Sequence, residues 1–203
     1  MSSLSRAKTI GAVGSILVLV GFVPNGGVVL TIAGFILILV AVKHVADVTK
    51  DRDLYGNMQA AVALSVVGTI IGFLVVFGGF FSFIGSGPTG SLQTGGPLES
   101  FSSFIETVII GLVAIWFFFV IASILLKKSY DSIALSLNVD LFHTTGKLFL
   151  IGAALIIVFG VGLIITFVAA TLQIAAFLSL PDEKPPPYTI DPLAKPLRPP
   201  NVG

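Results

Sequence analysis

The chain has no cysteine, only two histidines and one tryptophan, and just 10% of its 203 residues are charged. Each shortage removes a class of function. Without cysteine there is no disulfide scaffold, no thiolate zinc or iron–sulfur site and no thiol nucleophile. A formal net charge of +1 supplies no basic surface for nucleic acid, whose binding rests on many phosphate contacts. A soluble domain carries roughly 25% charge. Here 55% of the residues are apolar and the mean hydropathy is +1.06, which excludes a disordered chain and makes the bilayer the solvent.

The apolar runs predict the spans. Counted from Leu4, with Arg6 and Lys8 snorkelling their stems to the headgroups, the first run reaches Val23 and provides about 20 residues, enough to cross. Pro24-Asn25-Gly26-Gly27 turns the chain, and Val28 to Val42 returns it. After the charged connector 43–53, Met58 to Phe83 has neither charge nor proline and reads as a third span. Within it Gly68 and Gly72 form a GxxxG pair that lets another helix approach closely. Residues 84–97 turn to Gly, Ser, Thr and Pro, a loop whose Gly85–Gly90 stretch lacks the lysine of a phosphate loop. A fourth span, 101–126, is expected to stop at Lys127-Lys128. In 129–143, Ile133, Leu137 and Leu141 recur every four residues opposite Ser132, Ser136 and Asp140, predicting a short amphipathic helix in the interface or against the bundle. Leu148–Phe159 and Leu163–Leu180 form a last hairpin, broken by Gly160-Val161-Gly162.

All eleven basic residues fall on one side of this scheme, and the other side receives only Glu99 and Glu106. By the positive-inside rule both termini face the cytoplasm in a multi-pass plasma-membrane protein. A hairpin that dips in and returns leaves the same charges in place, so two architectures follow: a six-transmembrane all-α bundle, or two full spans plus two re-entrant hairpins. Arg6 and Lys8 before an apolar run fit a signal peptide, but no small-x-small cleavage site follows, so the segment is expected to be retained. The terminal hairpins also resemble each other. Lys8 aligns with Lys147 and Gly21 with Gly160; after a four-residue deletion at the tip, Gly27, Thr31, Leu37 and Ala41 align with Gly162, Thr166, Leu172 and Ala176. Such repeats would be parallel, which counts against an inverted-repeat transporter.

Ser129-Tyr130-Asp131 and the run from Leu141-Phe142-His143-Thr144-Thr145-Gly146-Lys147 to Gly152, with the opening Ala7-Lys8-Thr9-Ile10-Gly11-Ala12-Val13-Gly14, resemble a family of uncharacterised archaeal multi-span membrane proteins known only as a domain of unknown function. The likeness covers roughly residues 5–180. It implies an archaeal plasma-membrane protein and no particular reaction. In that family the position of His143 often carries a basic residue, which argues against a ligand role there.

Few residues offer chemistry. Glu106 is the only acid inside an expected span and is the candidate ion or proton site, against a plain headgroup-level position. His44 and His143 are the minimum for bis-imidazole haem ligation, against two interfacial polar residues. Gln173, Thr166 and Thr31 read as interhelical hydrogen bonds, and Gly68, Gly72, Gly160 and Gly162 as helix-packing positions. No catalytic constellation, metal site or cofactor is expected. The chain divides into a membrane domain, 1–180, and a Pro-rich cytoplasmic tail, 181–203, in which Tyr188, Ile190, Leu193 and Leu197 are spaced apolar anchors for a partner surface. The expected function is that of a non-catalytic structural or accessory subunit, or a homo-oligomer, in contact with lipid and other membrane subunits; the alternative is a small solute or ion transporter or channel.

Overall fold

The computed structural model describes residues 3–21, 27–85, 97–157 and 161–183. They form an all-α membrane bundle of six helices: α1 (Ser3–Val20), α2 (Gly27–Thr49), α3 (Arg52–Gly85), α4 (Pro97–Leu137), α5 (Asp140–Leu155) and α6 (Val161–Leu178). Five are long and apolar enough to cross a membrane. The exception is α5, whose 16 residues cover about 24 Å of a hydrocarbon core about 30 Å thick.

Two boundaries differ from the sequence expectation for the same reason. α4 does not stop at Lys127-Lys128 but runs on as one helix of 41 residues. Lysine is a good helix former, so charge ends the apolar segment without ending the helix. The helix stops instead at Asn138, which sits at φ 57°, while the Val139 N–H donates to the Ala134 carbonyl at 3.1 Å. That is a Schellman stop with asparagine in the left-handed position. The expected amphipathic segment 129–143 is thereby split: Ile133 and Leu137 are buried on α4, while Leu141 belongs to α5. The connector 43–53 also contracts to Lys50 and Asp51, because α2 continues to Thr49 and α3 begins at Arg52. Lys50, at φ 61°, makes the turn.

Each helix packs against its neighbours in the chain, and α1 meets α6 to close the order into a ring. The apolar core lies at the end where the lysines gather. Leu4 and Ala7 of α1, Val42 and Val45 of α2, Leu54 and Met58 of α3, Tyr130, Ile133 and Leu137 of α4, Phe142 of α5 and Phe177 of α6 bury one another there. Aromatic edges tie the layer together, with ring centroids 5.5 Å apart for Tyr130 and Phe142 and 5.2 Å for Phe142 and Phe177. Gly11 of α1 lies directly against the Phe177 ring.

From this layer the helices rise unequally. Counting along each helix, α1 rises about 15 Å from Gly11 to its end, α5 about 20 Å from Phe142 and α6 about 24 Å from Phe177, whereas α3 and α4 rise more than about 40 Å. The α3–α4 pair therefore continues as a two-helix arm. Gly68 lies against Phe118, Gly72 against Ile115 and Gly79 against Thr107, so the two backbones approach closely over its length. Phe83 stacks near Phe104 at 5.2 Å and Phe73 on Phe77 at 4.7 Å. The rest of the arm is bare apolar surface, including Val66, Ile70, Leu74, Phe81, Ile109 and Phe117.

Candidate functional site

The hydrogen-bonded side-chain groups that join different helices concentrate where α3, α4 and α5 meet beside the buried layer. Asp51 precedes α3 as its N-cap: one carboxylate oxygen accepts from the backbone N–H of Asp53 at 3.0 Å and of Leu54 at 3.2 Å. The other accepts from the Ser132 hydroxyl of α4. That hydroxyl and the two backbone N–H groups hold the Asp51 carboxyl below the usual carboxylate range, against the opposing effect of burial. About one turn earlier on α4, Ser129 is fully buried and donates to the Leu54 carbonyl at 2.9 Å. The loop end of α3 is thus pinned to α4 twice.

Asp131 joins α4 to α5. One of its oxygens meets the Lys127 ammonium at 2.5 Å and the other meets His143 Nδ1 at 2.6 Å. Lys127 lies one turn earlier on the same helix, so the pair is helix-local, while the histidine contact crosses helices. The His143 ring remains half exposed. An open cleft of about 610 Å³ lies at the α2–α3 turn, lined by Lys43, Ala46, Asp47, Lys50, Asp51, Arg52 and Tyr55. Among the described residues, no group of three or more potential ligands could hold a metal ion.

The residues singled out in the sequence fall in separate places. His44 is on α2, which packs between α1 and α3, and His143 is on α5, between α4 and α6. The two histidines therefore sit on elements that are not neighbours in the ring, and His143 turns to Asp131. Glu106 is exposed on the outer half of α4, about 31 Å along the helix from Lys127, which is the thickness of the hydrocarbon core. Gly68 and Gly72 serve the α3–α4 contact inside the chain. Gly160 and the tail anchors Tyr188, Ile190, Leu193 and Leu197 lie outside the described residues.

Thr31 and Thr166 do not bridge helices. Each hydroxyl donates to its own helix four residues back, to the Gly27 and Gly162 carbonyls respectively, both at 2.8 Å. In an apolar medium that carbonyl is the nearest acceptor a threonine can reach. The two threonines still occupy matching places, since Gly21 packs on Thr31 and Gly27, and Gly152 packs on Thr166 and Gly162. Among the described residues it is Gly152 that packs as Gly21 does; the Gly160 of the sequence alignment lies outside them. The second helices of the two hairpins match further: Gly34, Ile38, Ala41, Val42 and Val45 are buried, as are Ala169, Gln173, Ala176, Phe177 and Leu180 at the same spacing. This extends the threonine and alanine pairs seen in the sequence.

Four positions that the structure brings into contact across helices were missed. Trp116 donates its indole N–H to the Ala154 carbonyl at 3.2 Å, satisfying one of the free carbonyls at the end of α5. Nothing in the sequence links residues so far apart. Asp131 could have been found from the Lys127 spacing, and Asp51 from its place before a helix start. Tyr130 is fully buried, and its hydroxyl is without a hydrogen-bond partner among the described residues.

Comparison with known proteins gives a consistent picture. Residues 30–171 match the family described as "Protein of unknown function (DUF996)". An uncharacterised protein of Methanocaldococcus jannaschii, MJ1644, is 32% identical over 180 residues, covering 89% of this chain and 94% of its own. No solved structure matches the chain.

Proposed function

This chain belongs to the DUF996 family of proteins of unknown function, and from that premise we propose that it is a non-catalytic polytopic membrane protein, a structural or accessory subunit of a membrane assembly or a homo-oligomer. The observation that carries the reading is the α3–α4 arm. Its two helices are zipped to each other through small residues and leave their outward faces bare and apolar, the form in which one membrane helix pair receives others. A transporter would need polar groups along a path between helices. The candidate for one, Glu106, is exposed on the outer half of α4, and a carboxylate at headgroup depth would be solvated, with no coupling chemistry required of it.

In this reading both termini and the lysine-rich base face the cytoplasm, and the Pro-rich tail lies along a neighbouring subunit. The tail begins close to the bundle, where Asp182 is 4.0 Å from Lys8. Purification in mild detergent with mass spectrometry of co-migrating chains tests the proposal: a stable complex larger than one chain is expected. Deleting residues 182–203 is expected to spare insertion and reduce the yield of that complex. A chain that runs alone at 21.2 kDa plus its detergent belt, and that conducts ions or solutes in liposomes, would favour the transporter instead.

A further inference from the structure

The unequal heights of the helices carry a consequence for the surrounding lipid. All six helices share the layer that contains Leu54, Tyr130, Phe142 and Phe177, and the lysines beside it, Lys8, Lys43, Lys127 and Lys147, mark the membrane surface. Lys127 and Gly146 are in direct contact across α4 and α5, so those two helices enter the bilayer at the same height. From that height α5 ends within about 15 Å, at the carbonyl that Trp116 caps. Trp116 itself stands about 16 Å up α4 from Lys127, near the middle of a core about 30 Å thick. A tryptophan at the headgroup belt needs no protein partner for its N–H. One at mid-depth does, and Ala154 is that partner.

The other hairpin ends no higher. Counted from the shared Phe142–Phe177 layer, α1 rises about 15 Å from Gly11 against about 20 Å for α5, and Gly21 at its end packs on Gly27 and Thr31 at the start of α2. Beyond these ends the arm continues alone. On α3 above Ala61, among the described residues, only Gly68 and Gly72 are buried, and both face α4. Among the described residues, the lysine-side half of the bundle therefore contains six helices and the opposite half only two.

We infer that the protein is a wedge in the bilayer, whose two short hairpins occupy mainly the lysine-side leaflet, leaving acyl chains of the opposite leaflet to fill the shoulder beside the arm above the described ends of α1 and α5. At a helix diameter of about 10 Å, the lysine-side leaflet is expanded about three times as much as the other. A membrane so loaded bends with the lysine side convex. The shoulder suits acyl chains because its walls are apolar, with Val66, Ile70 and Val113 on the arm and Val20 and Ile157 at the hairpin ends all exposed. This activity does not depend on whether other subunits dock on the outward faces of the arm.

The absence of native cysteine permits single spin labels at Val20→Cys, Ile157→Cys and Ile84→Cys, all surface positions. In vesicles of phosphatidylcholine and phosphatidylglycerol, Val20 and Ile157 are expected to read oxygen-rich, nickel-poor mid-bilayer depth, while Ile84 reads headgroup depth. Pulled into narrow tubes from giant vesicles, the unlabelled full chain is expected to concentrate about twofold when its lysine side is convex, in the manner of curvature-sensitive insertion. Headgroup depth at Val20 and Ile157 would show that the hairpins cross and would overturn the wedge. Spin–spin coupling between copies at high dilution would place a second chain, not lipid, in the shoulder. Equal density in tube and parent vesicle would remove the bending activity.

Discussion

The carboxylate of Asp51 accepts from the start of α3 through one oxygen and from Ser132 of α4 through the other, so it stabilises both a helix end and a helix contact. Because these donors hold its folded value below the ordinary carboxylate value of about 4, the stabilisation is fully present above that value and is lost as pH falls through the lower folded value. Asp51→Ala is expected to cost about 1–2 kcal/mol at pH 7, the usual range for a lost helix cap. The difference from wild type should shrink toward pH 3, as read by thermal unfolding in detergent. Tyr130 presents the opposite case. Its ring packs between Phe142 and Phe149, while its hydroxyl carries a desolvation cost with no bond among the described residues to offset it. Tyr130→Phe keeps the ring and is expected to leave the melting temperature unchanged or raise it, by up to about 1 kcal/mol in stability. A clear fall would reveal an acceptor for that hydroxyl.

The long arm depends on where α3 and α4 are thin. A methyl group at Gly72 would collide with the Ile115 side chain, whereas one at Gly78, two turns further along α3, would meet nothing within 4 Å. Gly72→Ala is therefore expected to destabilise by about 1–3 kcal/mol through overpacking. Gly78→Ala should stabilise by roughly 0.5–1 kcal/mol, because alanine loses less backbone freedom than glycine in a helix. Melting both variants in one detergent checks the contrast. The opposite signs would come from neighbours alone, since both glycines lie within the same helix.

The whole molecule is polarised along its long axis, with its core and all but one of its interhelical side-chain hydrogen bonds described above at the base, the exception being Trp116 to Ala154, and bare apolar surface on the arm. The topology reading places Lys128 and Ser102 on opposite sides. Both are exposed, so Lys128→Cys and Ser102→Cys should label with an impermeant thiol reagent from opposite faces of a right-side-out vesicle. Labelling from one face would remove the scheme. Ser129, the neighbour of Lys128, is a poor site because it is buried against the Leu54 carbonyl.

The sequence by itself determined the solvent, the helical class, the segregation of charge and Gly68 and Gly72 as a place where some other helix can approach closely, because each is a property of composition or local spacing; that the partner is α4 came from the structure. The sequence also exposed the Thr31 and Thr166 correspondence. It misjudged where helices end, since Lys127-Lys128 changes polarity without breaking a helix, the break within 43–53 is confined to Lys50 and Asp51, and the stop at Asn138 depends on one residue adopting a left-handed conformation. Only the tertiary structure decided that His143 meets Asp131 and not His44, that Trp116 closes the end of α5, and that all six helices share one layer while two outgrow the rest. Those facts depend on which helices are neighbours and at what height they meet. Apolar periodicity carries no such information in a bilayer, where lipid-facing and helix-facing surfaces are equally hydrophobic.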